Sequence, residues 1–474
     1  MKVSSKVFCV VLALVLALSC IGCSDNSANN SSANQPDTSS DATSSHRELP
    51  NDNEADDYSD EDHLFDYNTI SWSGPEGYKI VVPTKDSAAK KSAQKLQDYY
   101  RQTLNVNLQI VSDSTEPTEK EILVGATNRD ESGKNIAEAD ISVSVKGEKL
   151  VFGAGHSVTL DTAVNRFIRL APKSGEAHTF ALTTDFKSTL QDGYEYVWGD
   201  EFEDSSIDFT KWDYITKMEG NDVVQVSYDK DVVDVADGRL KLHAIHYFDN
   251  NDPTVRYKVP GSVITQNKMN YVYGYLEIRS RVPYSPGVWA SFWTQSTDVL
   301  KGSRNYDYML EVDIYEVFYT YTKHTGLIHW YPKTFDYNAK YPNWTPGAET
   351  GVSVSTVMYN AKDNPQSYVF KPSASLNYEY HTYGYEWTPT EMKMYVDGVC
   401  HATFDTTKSF DAHQDMASYR DPQHVIFNNH LIYPGLSSVG VSIETNAKSL
   451  PACHYVDYIR LYQKPGQGRL YTAN

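Results

Sequence analysis

Apolar and polar positions are segregated over the first 66 residues of this chain and interleaved afterwards. An unbroken apolar run, "VFCVVLALVLAL" at 7–18, gives way to a stretch, 24–66, with almost no apolar side chain before Leu64 and Phe65. From Tyr78 the pattern acquires a period. "YKIVV" predicts a strand. In "DSAAKKSAQKLQDYYRQTL", Ala89, Ala93, Leu96 and Tyr100 recur at helical spacing, with Asp86 or Ser87 placed to cap the helix. "NLQIV", "EILVG", "ISVSV" and "KLVFGA" predict short strands. A second helix from Ser157 carries Leu160, Val164, Phe167 and Ile168 on one face, and "HTFALT" closes as a strand. Two amphipathic helices among short strands over 67–190 predict a small two-layer α/β domain. From Gly193 to Gln463 no long amphipathic helix follows. Short alternating strands such as "RLKLHAIHYF", "YGYLEIRSRV", "EMKMYVDG" and "YVDYIRLYQ" are separated by turn signals such as Asp237-Gly238 and Asp397-Gly398. They predict one large all-β sandwich over 191–465, with 466–474 as a C-terminal tail.

Charge sharpens the N-terminal reading. Lys2 and Lys6 precede the apolar run, which is shorter than the roughly 20 residues a membrane-spanning helix needs. Residues 1–23 therefore read as an export signal. The run ends in "SCIGCSDNS", which resembles the lipobox of a bacterial lipoprotein. That resemblance implies lipidation at Cys23, with Cys20 as the alternative cut and ordinary signal cleavage as a third reading. The expected location is the bacterial cell surface, lipid-anchored in the membrane. Residues 24–66 hold twelve acids against one arginine and too few apolar groups to offset their ordering entropy. They are expected to be a disordered acidic tether, spanning roughly 35–40 Å as a flexible coil. Two further cysteines, Cys400 and Cys453, either pair or stay as buried thiols; both readings stand. The net charge of −20 is a poor match for nucleic acid, whose binders neutralise phosphates.

The candidate chemistry lies in "YMLEVDIYEVF", residues 308–318. Strand alternation puts Glu311 and Asp313 on one face and Glu316 on the other. A solvated edge would explain alternating acids, but Met309, Leu310, Val317 and Phe318 mark the strand as central. Like charges crowded on a buried strand raise the pKa of at least one member, which is the device of acid–base chemistry. One extra residue taken up as a β-bulge would bring Glu316 onto the face of the other two. Glu311 and Glu316 would then sit as though four positions apart, about 13 Å between Cα atoms. Long side chains leaning together from there suit a retaining glycosidase.

These residues carry a wider resemblance. E-V-D-I-Y-E resembles the E-x-D-x-x-E signature of glycoside hydrolase family 16 in its bulged, laminarinase-like form. "YVWGDEFEDSSIDFTKWDY", "GSVITQNKMNYVYGYLEIRSRVPYSPGVWASFWTQ", "YHTYGYEWTPTEMKMYVDG" and "YVDYIRLYQ" are similar to the family's other ordered motifs, so the likeness covers 193–463. It implies a jelly-roll β-sandwich, with Glu311 as nucleophile, Asp313 as assisting carboxylate and Glu316 as acid/base. Trp289 and Trp293 would line the cleft; for Trp293 a place in the sandwich core is the stronger alternative. His329 matches a histidine beside the acid/base, or is structural. Trp330 and Trp344 would shape subsites. The resemblance also implies a structural Ca²⁺ held by Glu201, Gly238 and Asp457, with pairing of the two acids to arginines as the alternative. No cofactor is required for the chemistry. The implied activity is endo-acting, retaining hydrolysis of a polysaccharide by a monomer, most naturally of β-1,3- or mixed-linkage β-glucan. Galactan- or mucin-glycan cleavage within the family, and a non-catalytic glycan-binding lipoprotein, are the alternatives. The small domain resembles the non-catalytic domain 2 of β-hexosaminidases, so it is expected to be an accessory that a chain starting near Gln191 can lose without losing turnover.

Overall fold

The computed structural model describes residues 67–171, 173, 178–183, 185–186, 190, 193–215, 223–247, 251–252, 254–283, 287–296, 308–317, 325–332, 354–356, 380–407, 419–432 and 450–473. Among these residues the strands form a two-stranded pair and sheets of six, nine and ten strands. The expected signal and tether, with Cys20 and Cys23, lie outside the described residues. Among those described, no helix is long and apolar enough to cross a membrane.

The six-stranded sheet runs Gln109–Ser112, Lys79–Val82, Glu121–Val124, Lys149–Ala154, Ile141–Lys146, Asp185–Phe186. Its first four strands are parallel, which requires crossovers. Helix α1, Ser87–Thr103, supplies one of them. It starts where the Asp86 carboxylate accepts from the N–H groups of Ala88 and Ala89, at 3.0 and 2.9 Å. It ends before Asn105, a left-handed residue at φ +56°. Helix α2, Ser157–Leu170, is capped by His156, whose Nδ1 accepts from the Val158 N–H, with Thr159 completing a capping box. Both helices bury their apolar faces, Ala89, Ala93, Leu96 and Tyr100 with Leu160, Val164 and Phe167, on one side of the sheet. Alternation sends Ile80, Ile122 and Leu150 to that side and Val81, Leu123 and Val151 to the other. The unit thus has two layers. Strand Tyr67–Ser71, which the apolar pattern does not predict, pairs antiparallel with Thr179–Thr183.

The nine- and ten-stranded sheets enclose the main core. Phe292, Val312, Tyr315, Val425 and Phe427 from the former meet Leu242, Ile278, Tyr383, Tyr385 and Ile459 from the latter. Asn429 ties the sheets together across this core, its Nδ2 donating to the carbonyls of Leu242 and Ala452 at 2.7 and 3.1 Å. Arg469–Thr472 pairs with Met269–Val272, so the sandwich extends past the expected end at 465 into the residues read as a tail. Four residues were too few to show a period. Cys400 and Cys453 carry free thiols, so they do not pair.

The small unit is not a loose spacer. Tyr458, on a central strand of the ten-stranded sheet, is 1% exposed and packs within the helix-covered core of the small unit. Ala139 of that unit packs with Tyr194, Tyr275 and Tyr462. A chain starting near Gln191 would uncover these tyrosines, so the expectation that such a chain keeps turnover requires them to tolerate solvent.

Candidate active site

The acid strand, Tyr308–Val317, lies inside the nine-stranded sheet between Val288–Ser296 and Thr325–Pro332. Against the first neighbour its register runs Gln295–Glu311, Trp293–Asp313, Phe292–Tyr315, Ser291–Glu316. Between Asp313 and Tyr315 the acid strand advances two residues while its neighbour advances one. Ile314 is the extra residue of a β-bulge. The register to Thr325–Pro332 shifts over the same interval, between Asp313 and Glu316.

The consequence follows from directly opposed residues sharing a face. Gln295, Trp293 and Ser291 alternate on an unbroken strand, so their partners Glu311, Asp313 and Glu316 share one side of the sheet. Ile314 and Tyr315 both enter the core instead, at 1% and 0% exposure. Tyr315 is pinned there by hydrogen bonds to Ser280 (3.0 Å) and His454 Nε2 (2.6 Å). Burial of two consecutive side chains on the core side holds the bulge, and the bulge returns Glu316 to the acid face.

Each carboxyl on that face has a distinct setting. Gln295 Nε2 donates to Glu311 Oε2 at 3.0 Å, with Glu311 7% exposed. Trp289 Nε1 donates to Glu316 Oε1 at 3.1 Å. Asp313, 3% exposed, has its pKa pushed up to about 8 by burial, so it keeps its proton at neutral pH. The sequence calls for a raised pKa through crowding; the acid so raised is the middle one, and desolvation is the cause.

Trp289 and Trp293 both belong to the acid face, each an even number of positions from Ser291 and Gln295 in the same alternation. Trp293 Nε1 donates to Asn428 Oδ1 at 2.7 Å, and Trp293 is partly exposed, which removes it from the sandwich core. His329 is the register partner of Glu311 and Trp330 that of Leu310. Their side chains, and Trp344 altogether, lie outside the described residues. The neighbouring strand Gln423–Leu431 adds His424, Asn428 and His430 to the acid face, opposite Gln295, Ser291 and Trp289. Burial pushes the His430 pKa down to about 4, so it is a neutral imidazole. Sequence reasoning missed this strand because "QHVIFNNHL" reads as a mixed run. Its signal was the alternation of His424, Asn428 and His430.

The expected Ca²⁺ ligands lie on the outer face of the other sheet. They do not fit a cation. Both oxygens of Glu201 accept from Arg460, at 2.7 and 2.8 Å. Asp457 Oδ2 accepts from Arg166 and Arg279. Beside Gly238, a Cβ would stand 2.2 Å from Arg169 Nη1. No group of three or more potential metal-binding side chains occurs among the described residues. A Ca²⁺ ion takes six to eight oxygen ligands, and here both Glu201 oxygens and Asp457 Oδ2 already accept from guanidinium groups.

A profile of the family "Glycosyl hydrolases family 16" matches residues 220–435, which contain the whole acid strand. The chain has a glycoside hydrolase family 16 catalytic domain. It is a glycoside hydrolase, and its family 16 domain is a jelly-roll sandwich. Among curated proteins the chain is similar to a Rhodothermus marinus "Beta-glucanase", 27% identical over 57% of this chain and 85% of that protein. It is also similar to "Glucan endo-1,3-beta-glucosidase A1" of Niallia circulans, 25% identical over 57% of this chain and 38% of that longer one. Among solved structures it resembles one from work on endo-acting O-glycanases that human gut microbiota express to initiate mucin breakdown, with TM-score 0.43 and 22% identity, covering 60% of this chain and 95% of that one. At family level the domain is an endo-β-glycosidase.

Proposed function

We propose that this family 16 enzyme cleaves internal linkages of β-1,3- or mixed-linkage β-glucan with retention, using Glu311 as nucleophile and Glu316 as acid/base. The observation that carries the reading is the bulge at Ile314, which gathers the three acids on one face beside Trp289 and Trp293. The glucan-cleaving curated relatives support the substrate class.

The settings of the acids suit their roles. Glu311, positioned by Gln295, attacks the anomeric carbon; the glycosidic C–O bond breaks and its electron pair leaves on the departing oxygen. Glu316 gives that oxygen its proton. Indole N–H only donates, so Glu316 Oε1 accepts from Trp289 and the proton rides on Oε2. Water then attacks the glycosyl-enzyme while Glu316 takes a proton back, and Glu311 is released. Asp313, protonated between them, adds no second negative charge beside ionised Glu311 and offers a hydrogen-bond donor. Sugar C–H faces would stack on the indoles of Trp289 and Trp293.

Azide rescue tests the assignment on a β-glucoside with a good leaving group. In Glu316→Ala the glycosyl-enzyme still forms, and azide, which needs no general base, should give the β-glycosyl azide. In Glu311→Ala azide should enter directly and give the α-azide. Polymer cleavage by both should fall by orders of magnitude. The opposite anomers would reverse the roles, and substantial polymer turnover by either variant would refute the two-glutamate mechanism.

A further inference from the structure

The outer face of the ten-stranded sheet buries several carboxylates, and the counter-charge for them comes from two directions. Arg279 and Arg460 come from the sheet itself. The rest comes from α2. Thr162, Arg166 and Arg169 recur at i, i+4 and i+7, so they share one helical face. Thr162 Oγ1 donates to Glu201 Oε2 at 2.5 Å, Arg166 to Asp457, and Arg169 Nη1 to Glu203 Oε1 at 2.8 Å. One helix face thereby reaches three acids that no local sequence window joins to it. Burial alone would raise the Asp457 carboxyl, yet the guanidinium groups of Arg166 and Arg279, then Arg169 and Arg239, hold it well below the usual carboxylate range. Burial also raises the Glu203 carboxyl, and Arg169 opposes it.

We infer that the guanidinium groups of Arg166 and Arg169 occupy the electrostatic place of a divalent cation, so that this family 16 domain is stabilised on its outer face by its own N-terminal unit and takes no Ca²⁺ there. The physical case rests on charge and geometry. Arg166–Asp457 is a buried pair, and breaking it strands the remaining charge out of water, which costs far more than losing an exposed pair such as Arg169–Glu203. A planar guanidinium meets carboxylate oxygens with several directed donors. Gly238 belongs to the same arrangement: at φ +69°, without a Cβ, it leaves the space through which Arg169 reaches Glu203. A cation approaching Asp457 Oδ2 or either oxygen of Glu201 would find that oxygen already held by Arg166, Arg279 or Arg460.

Thermal unfolding of the full chain tests this independently of any activity. Wild type should melt at the same temperature in excess EDTA and in CaCl₂, because a site without metal adds nothing by mass action. R166Q/R169Q should melt several degrees lower in both buffers. Arg101→Gln, which breaks an exposed pair with Asp98 on α1, should leave the melting temperature unchanged. Should R166Q/R169Q fail to fold, R166K/R169K carries the test, because it keeps the charge but loses the fork; it should melt below wild type. A wild-type melting temperature that falls in EDTA and returns with CaCl₂ would overturn the inference. So would a glutamine or lysine pair that melts as wild type does.

Discussion

Replacing Trp289 by Phe keeps a flat apolar ring in the acid face and deletes one hydrogen bond, the 3.1 Å indole donation to Glu316 Oε1. That bond favours ionised over protonated Glu316. Hydrogen bonds to charged groups contribute about 1.5–3 kcal/mol and neutral ones about 0.5–1.5, so the difference is on the order of 1 kcal/mol. At 3.1 Å the bond is toward the long end of its range, which argues for the lower part of that interval. Trp289 is 6% exposed, so water does not replace the lost donor at full strength. One pH unit corresponds to about 1.36 kcal/mol, and the expected shift is therefore between about half a unit and one unit. Its sign is upward: with the ionised form disfavoured, the acid keeps its proton to higher pH. The readout is the pH profile of kcat/KM on soluble β-glucan, whose alkaline limb belongs to the free enzyme's essential acid. Trp293→Phe is the control, because its indole donates to the neutral amide of Asn428. An unmoved or downward-shifted limb in Trp289→Phe would refute the reasoning, as would an equal shift in the control.

Asp313→Asn should gain stability relative to wild type as pH rises. The folded pKa of Asp313 is raised to about 8, so above about pH 4 the unfolded chain gives up a proton that the native one keeps. Wild type loses stability through that window and the amide does not; a wild-type-to-variant difference in urea denaturation that is flat between pH 4.5 and 7.5 would contradict it. Asn429→Ala should cost on the order of 2–4 kcal/mol, because it strips a buried donor from the carbonyls of Leu242 and Ala452 on the opposite sheet. A urea midpoint equal to wild type would show that those carbonyls find other partners.

What the sequence made legible was whatever it encodes over one or two turns of a helix or one strand. Ala89, Ala93, Leu96 and Tyr100 announce α1 because helix burial repeats locally. The bulge was legible for a subtler reason: a period-two strand bearing acids at 311, 313 and 316 contradicts itself unless one residue is extra. The face of Trp293 was harder. The motif "GVWASFW" has aromatic side chains on both sides of one strand, and only the register with Asp313 shows which side each takes. Least legible was the outer face of the ten-stranded sheet. Arg166 and Arg169 look like the solvated side of an amphipathic helix, and the acid that Arg166 meets is 291 residues away along the chain. Pairing at that separation is fixed by the assembled fold, and no periodicity records it.

The bulge at Ile314 also bears on how such a protein can change over generations. Losing a single codon between Asp313 and Glu316 would leave all three carboxylates in the gene and both indoles on the sheet, and would set the last acid two positions after Asp313. Period-two alternation then puts it on the acid face with no bulge at all. What disappears with the lost residue is one core side chain, because Ile314 and Tyr315 both enter the sandwich and a regular strand has room for only one of them between the two acids. A bulged strand and a strand one residue shorter are two solutions to one geometric demand, and a lineage can pass between them by an in-frame deletion whose effect falls on packing and leaves the acids in place.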